Sequence, residues 1–417
     1  MSLASEPLAG AGAWIKAMVD GWAGYSEDEE HLTRVFLSPQ HKACAQAVMS
    51  AMRAAGMTAR LDAIGNVVGR YEAAAPGAKT LITGSHIDTV RDAGAYDGNL
   101  GVALPIACIA ELDARGQRLP YAIEVIAFGD EEGVRFPTTL SGSRSIAGTF
   151  DPAVLSVTDA EGTTLRDALT AFGCDPNTIA GEARRRDTVV AFVEVHIEQG
   201  PVLEAEGLPV GTVTAINGAS RFAITVEGMA GHAGTVPMHL RRDALAGAAE
   251  MIAAIEARAA AEDGLVATVG RLAVAPGAIN VIPGKAEFSL DIRAPEDAQR
   301  AAAVASLQEA LAAIARRRGL ALRVELLYSE GAVACHVGLM AQLDGAIARQ
   351  GLRPLRLASG AGHDAMALAA LCPIAMLFVR CGGGISHNPL ESITAEDAET
   401  AARVFLDFLE HFDPDLG

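Results

Sequence analysis

The sequence lacks the features that mark several large classes of protein. Its six cysteines are scattered with no C-x-x-C spacing, so we expect free, mostly structural thiols. No cluster of lysines and arginines of the kind that marks a nucleic-acid or anionic-membrane surface occurs, and a net charge of −18 would repel phosphate backbones, which argues against a nucleic-acid partner. The longest apolar run, residues 102–110, is far too short for a membrane span, and Lys16 interrupts the apolar run near the N-terminus. We therefore expect a cytoplasmic protein with no membrane segment.

Three familiar catalytic motifs are also missing from the sequence. It contains no G-x-S-x-G, no H-E-x-x-H and no P-loop. Serine-triad hydrolases, zincin-type proteases and nucleotide hydrolases therefore have no local support.

The composition and the apolar runs predict a packed protein of two domains. Half of the 417 residues are hydrophobic and a fifth are charged, and this length exceeds one ordinary core. Residues 80–83 and 123–128 form short apolar runs, each followed by polar, glycine-containing sequence, with a helix-like apolar stretch between them. This pattern predicts an α/β fold with a mainly parallel sheet.

A second domain is predicted inside the first. After residue 211 the order becomes strand, helix, strand, strand, helix, strand, which is the ferredoxin-like order of an α+β domain. The predicted strands are residues 222–226, 266–274, 286–292 and 322–327, and the predicted helices are residues 244–261 and 297–318. We therefore expect a catalytic domain of residues 1–211 and 330–417 with an insert of residues 212–329.

Polar residues that could bind metal lie at or just beyond the predicted strand ends. In an extended chain His86 and Asp88 would project to the same face, and a carboxylate at position 88 could bind one nitrogen of the His86 ring. Further candidates are Asp97 in a Gly-flanked loop, the acids Asp130, Glu131 and Glu132, His196 in VEVHIEQG, and His387 in GISHNP. Each has a plainer alternative, such as an Asp-Gly turn or a structural histidine, but open α/β sheets gather their sites at this edge.

The candidate ligands combine imidazole nitrogens with carboxylate oxygens. Such a set suits Zn, Mn, Co or Ni, whereas Mg or Ca would prefer oxygen throughout. The sequence thus predicts a hydrolase with two divalent metal ions.

These motifs, in this order and with an inserted domain, resemble the hydantoinase/carbamoylase branch of the dinuclear aminoacylase and carboxypeptidase superfamily. The resemblance spans nearly the whole chain and is strongest in HIEQGP at residues 196–201 and GHAGTVPM at residues 231–238. It implies that Asp97 bridges two ions, that Glu131 is the general base, and that Asp88 orients His86. The other implied metal ligands are His86, Glu132, His196 and His387.

The resemblance also implies a substrate-binding set. Gln199, Asn280, Arg293, Gly362 and His363 match positions near the substrate, and the planar guanidinium of Arg293 suits a carboxylate. In relatives the histidine that matches His232 reaches the active site from a neighbouring subunit, so the resemblance implies a homodimer and an insert that acts as a lid and dimerisation domain.

Arg221 favours allantoate among the ureido acids. The allantoate enzymes of the branch carry an arginine here, although Ala219 and Ser220 replace the Gln-Arg pair that typically precedes it. N-carbamoyl-L-amino acids and N-carbamoyl-β-alanine remain alternatives as substrates. A dipeptidase or aminoacylase, and a homologue that only binds, are weighed as further alternatives.

Overall fold

The computed structural model describes residues 8–415, which form two compact units. The first unit contains the chain to Thr214, Cys335–Leu357 and the chain from Gly362 onward, and the second contains Ala215–Ala334 and Ala358–Ala361. None of the helices in the described chain combines the length and apolar character that a membrane crossing requires.

The helices and strands are numbered in chain order across both units. The α-helices are α1 Ala11–Ala23, α2 Pro39–Ala54, α3 Asn99–Ala114, α4 Ser141–Ala147, α5 Leu165–Phe172, α6 Val202–Ala205, α7 Ala244–Ala260, α8 Asp297–Arg318, α9 Val337–Arg349, α10 Ala365–Leu368 and α11 Ala395–His411. The strands are β1 Thr58–Leu61, β2 Val67–Tyr71, β3 Thr80–His86, β4 Ala122–Phe128, β5 Val189–Ile197, β6 Val210–Ile216, β7 Gly218–Glu227, β8 Gly231–His232, β9 Val266–Thr268, β10 Leu272–Ala275, β11 Val281–Ile282, β12 Lys285–Ala294, β13 Ala321–Glu330, β14 Val333–Ala334, β15 Arg356–Ser359 and β16 Ile374–Val379.

The sheet of the first unit has a parallel centre. Its strands follow the order β1-β2-β4-β3-β5-β16-β6, in which β4, β3, β5 and β16 pair in parallel and the outer pairs are antiparallel. The central strands are buried along their whole length, as expected of parallel strands covered on both faces. The predicted mixed α/β fold with a largely parallel sheet is confirmed.

Helix α3 connects two of these parallel strands and lies in the core. It is the apolar stretch expected between the first two strands, and twelve of its sixteen residues are buried. It begins after Gly98, whose φ is 66° and where an added Cβ would lie 2.6 Å from the His86 ring. Only glycine permits this turn at such a close approach, so the Asp97 loop can lie against His86.

The second unit is a sheet with helices on one face. Its strands follow the order β10-β12-β7-β13, all antiparallel, and β9 pairs with the far end of β12. Phe288, Leu290 and Ile292 alternate along β12 and pack with apolar residues of α7 and α8, while Asp291 and Arg293 point to the opposite face.

The prediction of one strand in this unit was wrong. Residues 266–274 form two strands rather than one, because β9 pairs with Asp291–Arg293 and β10 pairs with Lys285–Phe288. Between them the Arg271 amide donates to Ser289 Oγ instead of to a main-chain oxygen, while the Ser289 amide donates to the main-chain oxygen of Arg271.

Candidate active site

The candidate metal ligands lie at one edge of the parallel sheet. β3 ends at His86, β5 carries His196 next to its last residue, and the acidic turn follows β4. His387 follows β16 in a glycine-rich loop. Because these four strands are parallel, their carboxyl ends meet at the same edge, as the sequence suggested.

Asp97 lies at the centre of this group. Its Oδ1 is 3.6 Å from His86 Nε2 and 3.2 Å from His196 Nε2, while its Oδ2 is 3.1 Å from His387 Nε2. His387 Nε2 is also 3.4 Å from Glu132 Oε1. The two oxygens of one buried carboxylate therefore face two different sets of imidazole nitrogens.

These donors group in the manner of two ion sites. His86, Asp97 and His196 form one cluster with ligand atoms within 4.8 Å of one another, and Asp97, Glu132 and His387 form another. Two ligand atoms bound to one tetrahedral ion at about 2.0–2.2 Å lie roughly 3.3–3.6 Å apart, close to the separations found here. Asp97 is the member that the two clusters share.

Hydrogen bonds fix which ring nitrogens face Asp97. His86 Nδ1 lies 2.9 Å from the main-chain oxygen of Asp88, and His196 Nδ1 lies 2.9 Å from that of Ile197. A carbonyl oxygen only accepts, so Nδ1 carries the proton and Nε2 presents its lone pair. His196 Nε2 and Asp97 Oδ1 are buried polar atoms that make no hydrogen bond, which is the arrangement expected of atoms that bind a cation.

The prediction that the Asp88 carboxylate contacts the His86 ring is wrong about which atom of Asp88 makes the contact. The ring is held by the main-chain oxygen of Asp88. The carboxylate instead accepts the amides of Glu131 and Glu132, each at 3.2 Å. Asp88 therefore bonds to the His86 ring and to the acidic turn at once, because its carboxylate points toward the end of β4.

Charge is poorly balanced at this site without a cation. Burial raises the pKa of Glu131 well above its ordinary value, although the nearby His86 opposes the shift. Burial also disfavours the charged form of Asp97, but the adjacent imidazoles of His196, His387 and His86 outweigh it and hold its pKa well below the usual range. Hydrogen bonds to Asp97 and Glu132 raise the pKa of His387 to about 10. The carboxylates thus draw positive charge into the site, the role that metal cations would fill.

Three residues predicted to bind substrate lie in the same cluster. Gln199 Nε2 donates to Asp97 Oδ2 at 3.0 Å. The His363 ring is buried and packs edge-on against the His196 ring with centroids 4.5 Å apart. A Cβ added at Gly362 would lie 3.7 Å from Glu131 Oε1, so this loop passes beside the candidate base.

The remaining predicted residues lie in the second unit. Arg221 and Arg293 both bind the Asp291 carboxylate, at 2.9 Å and 2.8 Å, and the Arg221 guanidinium lies 5.0 Å from the centre of the Tyr328 ring. His232 is exposed on β8, which pairs with β11, and the adjoining Ala233 amide donates to the main-chain oxygen of Asn280. The second unit thus brings together Arg221 with Arg293 and His232 with Asn280.

Sequence reasoning missed Glu391 and Ser386, which hydrogen-bond around Asp97. Glu391 accepts main-chain amides 295 and 294 positions away, from Tyr96 and Asp97. A local motif cannot predict such a contact, because a main-chain amide is present at a position whatever its side chain. Ser386 lay inside the GISHNP motif, but only the fold brings its hydroxyl beside Asp97.

Comparison with known proteins defines the family. The model of the peptidase family M20/M25/M40 matches residues 82–411. An N-carbamoyl-L-amino acid amidohydrolase of Geobacillus stearothermophilus is 40% identical over 95% of this chain and 97% of its own. An allantoate deiminase of Arabidopsis thaliana is 39% identical over 92% of this chain and 79% of its own. The crystal structure of a hydantoinase/carbamoylase family amidase from Burkholderia multivorans superposes with a TM-score of 0.90 at 34% identity, covering 95% and 97% of the two chains.

The chain therefore belongs to the peptidase family M20/M25/M40, in its hydantoinase/carbamoylase type, and the predicted resemblance is confirmed. It is a hydrolase that acts on carbon–nitrogen bonds other than peptide bonds.

Proposed function

We propose that this protein is a dinuclear metal amidohydrolase that cleaves the C–N bond of a ureido acid, with allantoate as substrate and with release of ammonia and carbon dioxide. The observation that carries the proposal is the Asp97 carboxylate, whose two oxygens face separate imidazole groups at 3.1–3.6 Å. The names of the relatives, an allantoate deiminase and an N-carbamoyl-L-amino acid amidohydrolase, support this class of substrate.

The donor set fits two ions of Zn, Mn, Co or Ni. His86, Asp97 and His196 would hold one, and Asp97, Glu132 and His387 the other. When bound, such a pair acidifies a water and polarises the scissile carbonyl.

Glu131 is the proposed general base. It lies between the turn that the Asp88 carboxylate holds and the Gly362 loop, and a carboxylate in this position can take a proton and release it again. It takes the proton of the attacking water and returns it to the leaving nitrogen. Gln199 would contact the substrate beside Asp97, as would His363.

The second unit supplies the proposed substrate selectivity. Arg221 and Arg293 place two guanidinium groups on the single Asp291 carboxylate, which leaves one positive charge in excess. We assign Arg293 and Asn280 to the substrate carboxylate and Arg221 to the choice of allantoate. The sequence identities to the two relatives are nearly equal, so Arg221 is the feature that favours allantoate over an N-carbamoyl-L-amino acid.

The insert, residues 212–329, is proposed to be a ferredoxin-like lid and dimerisation domain in a cytoplasmic homodimer. The antiparallel order β10-β12-β7-β13, with α7 and α8 on one face, supports the fold assignment. His232 is exposed on this unit, which suits a residue that stabilises an oxyanion in the partner's active site.

The test follows hydrolysis by the Mn- or Zn-loaded protein with two readouts, which are ammonia release for the ureido acids and release of free amino acids for the dipeptides. The panel is allantoate, N-carbamoyl-L-amino acids, N-carbamoyl-β-alanine and dipeptides, with Glu131→Ala as the inactive control. Preference for allantoate supports the assignment of Arg221, and preference for a carbamoyl amino acid removes that assignment while keeping the chemistry. Turnover of dipeptides alone would replace the proposal with a peptidase, and inactivity on all of them would favour a binding protein.

A further inference from the structure

Glu391 is a buried carboxylate beside the proposed metal centre. Only 6% of the residue is exposed, and it stands four positions after His387 and before α11. Its Oε1 accepts the main-chain amide of Tyr96 at 2.7 Å and that of Asp97 at 3.0 Å. One oxygen of Glu391 therefore holds the backbone of the residue that the two candidate ion sites share.

The other oxygen of Glu391 reaches the segment that carries His387. Its Oε2 lies 2.8 Å from the hydroxyl of Ser386, the residue before His387. The same hydroxyl lies 3.1 Å from Asp97 Oδ2 and accepts a hydrogen bond from Gln199 Nε2 at 3.2 Å. A single side chain thus connects the backbone of one ligand segment with a side chain of the other.

The turn before Asp97 and the turn after His387 also pack closely around Glu391, in addition to the hydrogen bonds. An added Cβ at Gly94 would lie 2.2 Å from Glu391 Cβ, so the turn before Asp97 packs directly on this side chain. The turn after His387 is closed by the Glu391 amide, which donates to the main-chain oxygen of Asn388 at 3.0 Å. Neither segment can move far from the other while Glu391 stays in place.

We propose that Glu391 is a positioning residue that presets Asp97 and His387 for the metal ion they would share. The inference rests on the proposed metal centre and adds to it a residue that binds no ion. Partners of metal ligands that fix ligand orientation change metal affinity by about 10- to 100-fold when removed. A residue that merely anchored the start of α11 would change stability and leave metal affinity unaltered.

The test is a Zn²⁺ titration of the metal-free full chain in competition with a chromophoric chelator. We expect wild type to bind two ions and Glu391→Ala to bind one of the two about 10- to 100-fold less tightly. Glu391→Gln should stay close to wild type, because its amide oxygen can accept both main-chain amides and its NH₂ can donate to Ser386. Thr394→Ala is the matched control, since Thr394 caps α11 through the Asp397 amide, and it should lower the unfolding temperature without changing affinity.

The outcomes separate the two proposals. Failure of wild type to bind any ion overturns the metal centre itself. Two ions bound by wild type and equally well by Glu391→Ala overturn the role of Glu391, as does an equal loss in Thr394→Ala. If Glu391→Ala does not fold, Glu391→Asp replaces it: the side chain is one methylene too short to reach both segments, so unchanged affinity would again overturn the role.

Discussion

Most candidate metal ligands of the first unit are more buried than Arg221 and His232 of the second, and the exception is His387, whose side chain is 49% exposed. His86, Asp97 and His196 are almost completely buried, and main-chain groups hold both histidine rings. Arg221, by contrast, has a side chain that is 50% exposed and held by an ion pair, and His232 is also exposed.

This difference shows how each region would handle charge. Buried polar groups must find fixed partners, so the first unit presets its geometry before any ligand arrives. Exposed ion pairs contribute little stability and can exchange partners cheaply. The exposed ion pair between Arg221 and Asp291 should therefore cost little to break.

The largest expected effect is on the chemistry of the first unit. Glu131→Gln should lower kcat by about 10²- to 10⁴-fold, because the amide cannot accept the proton. Steady-state kinetics on the best ureido acid, together with metal analysis, measures this. Glu182→Gln, which removes a carboxylate paired with Arg60 in the same unit, is the control and should keep full activity. A kcat for Glu131→Gln near wild type would rule out this base.

A smaller effect is expected on binding through the second unit. Arg293→Ala should raise KM about tenfold to a hundredfold, the loss typical of a hydrogen bond to a charged group. The matched variant Arg323→Ala removes an exposed arginine, paired with Glu325 on β13 of the same sheet, and should leave KM unchanged. If kcat falls and KM does not change in Arg293→Ala, the residue acts on the chemical step instead of on substrate binding.

Burial also predicts how acid affects the first unit. His41 lies between the rings of Phe36 and Phe172, and burial, reinforced by the charge of Arg34, lowers its pKa to about 3. The unfolded chain has the ordinary value of about 6.5, so between these values the unfolded state binds one proton more. This residue should therefore lower the free energy of unfolding by about 1.4 kcal/mol for each pH unit below about 6.5.

Urea unfolding of wild type and His41→Gln over this range isolates the contribution. Wild type should be more stable than the variant at neutral pH, and the difference should shrink as the pH falls. A difference that is constant with pH would contradict the prediction.

The smallest expected effect is on the stability of the second unit. It tests whether a loss of stability there changes metal binding in the first unit. Asp243 caps α7 by accepting the Ala246 amide at 3.0 Å. Asp243→Ala should lower the free energy of unfolding by about 1 kcal/mol. The number of bound ions, measured by metal analysis, should be unchanged, and a lost ion would show that the two regions depend on one another.

The sequence predicted the ligand cluster better than the contacts around it. Polar residues near strand ends gave the candidates, the family resemblance implied the set His86, Asp97, Glu132, His196 and His387, and the structure brings all five together. The orientation of His86 was predicted less well, since a pattern cannot distinguish the Asp88 carboxylate from its main-chain oxygen. The break between β9 and β10 was missed because apolar residues lie on both sides of Gly270 and Arg271.

By itself the sequence determined the family, the α/β fold with a largely parallel sheet, and the residue types available for metal and acid–base chemistry. The fold class and the candidate side chains follow from local patterns of apolar and polar residues, whereas the family follows from the resemblance of motifs such as HIEQGP at residues 196–201. Only the tertiary structure decided which oxygen of Asp97 faces which histidine, that Asp291 binds both arginines, and that Glu391 joins two segments almost three hundred residues apart. Such contacts depend on the packing of distant segments and on main-chain groups that are the same at every position.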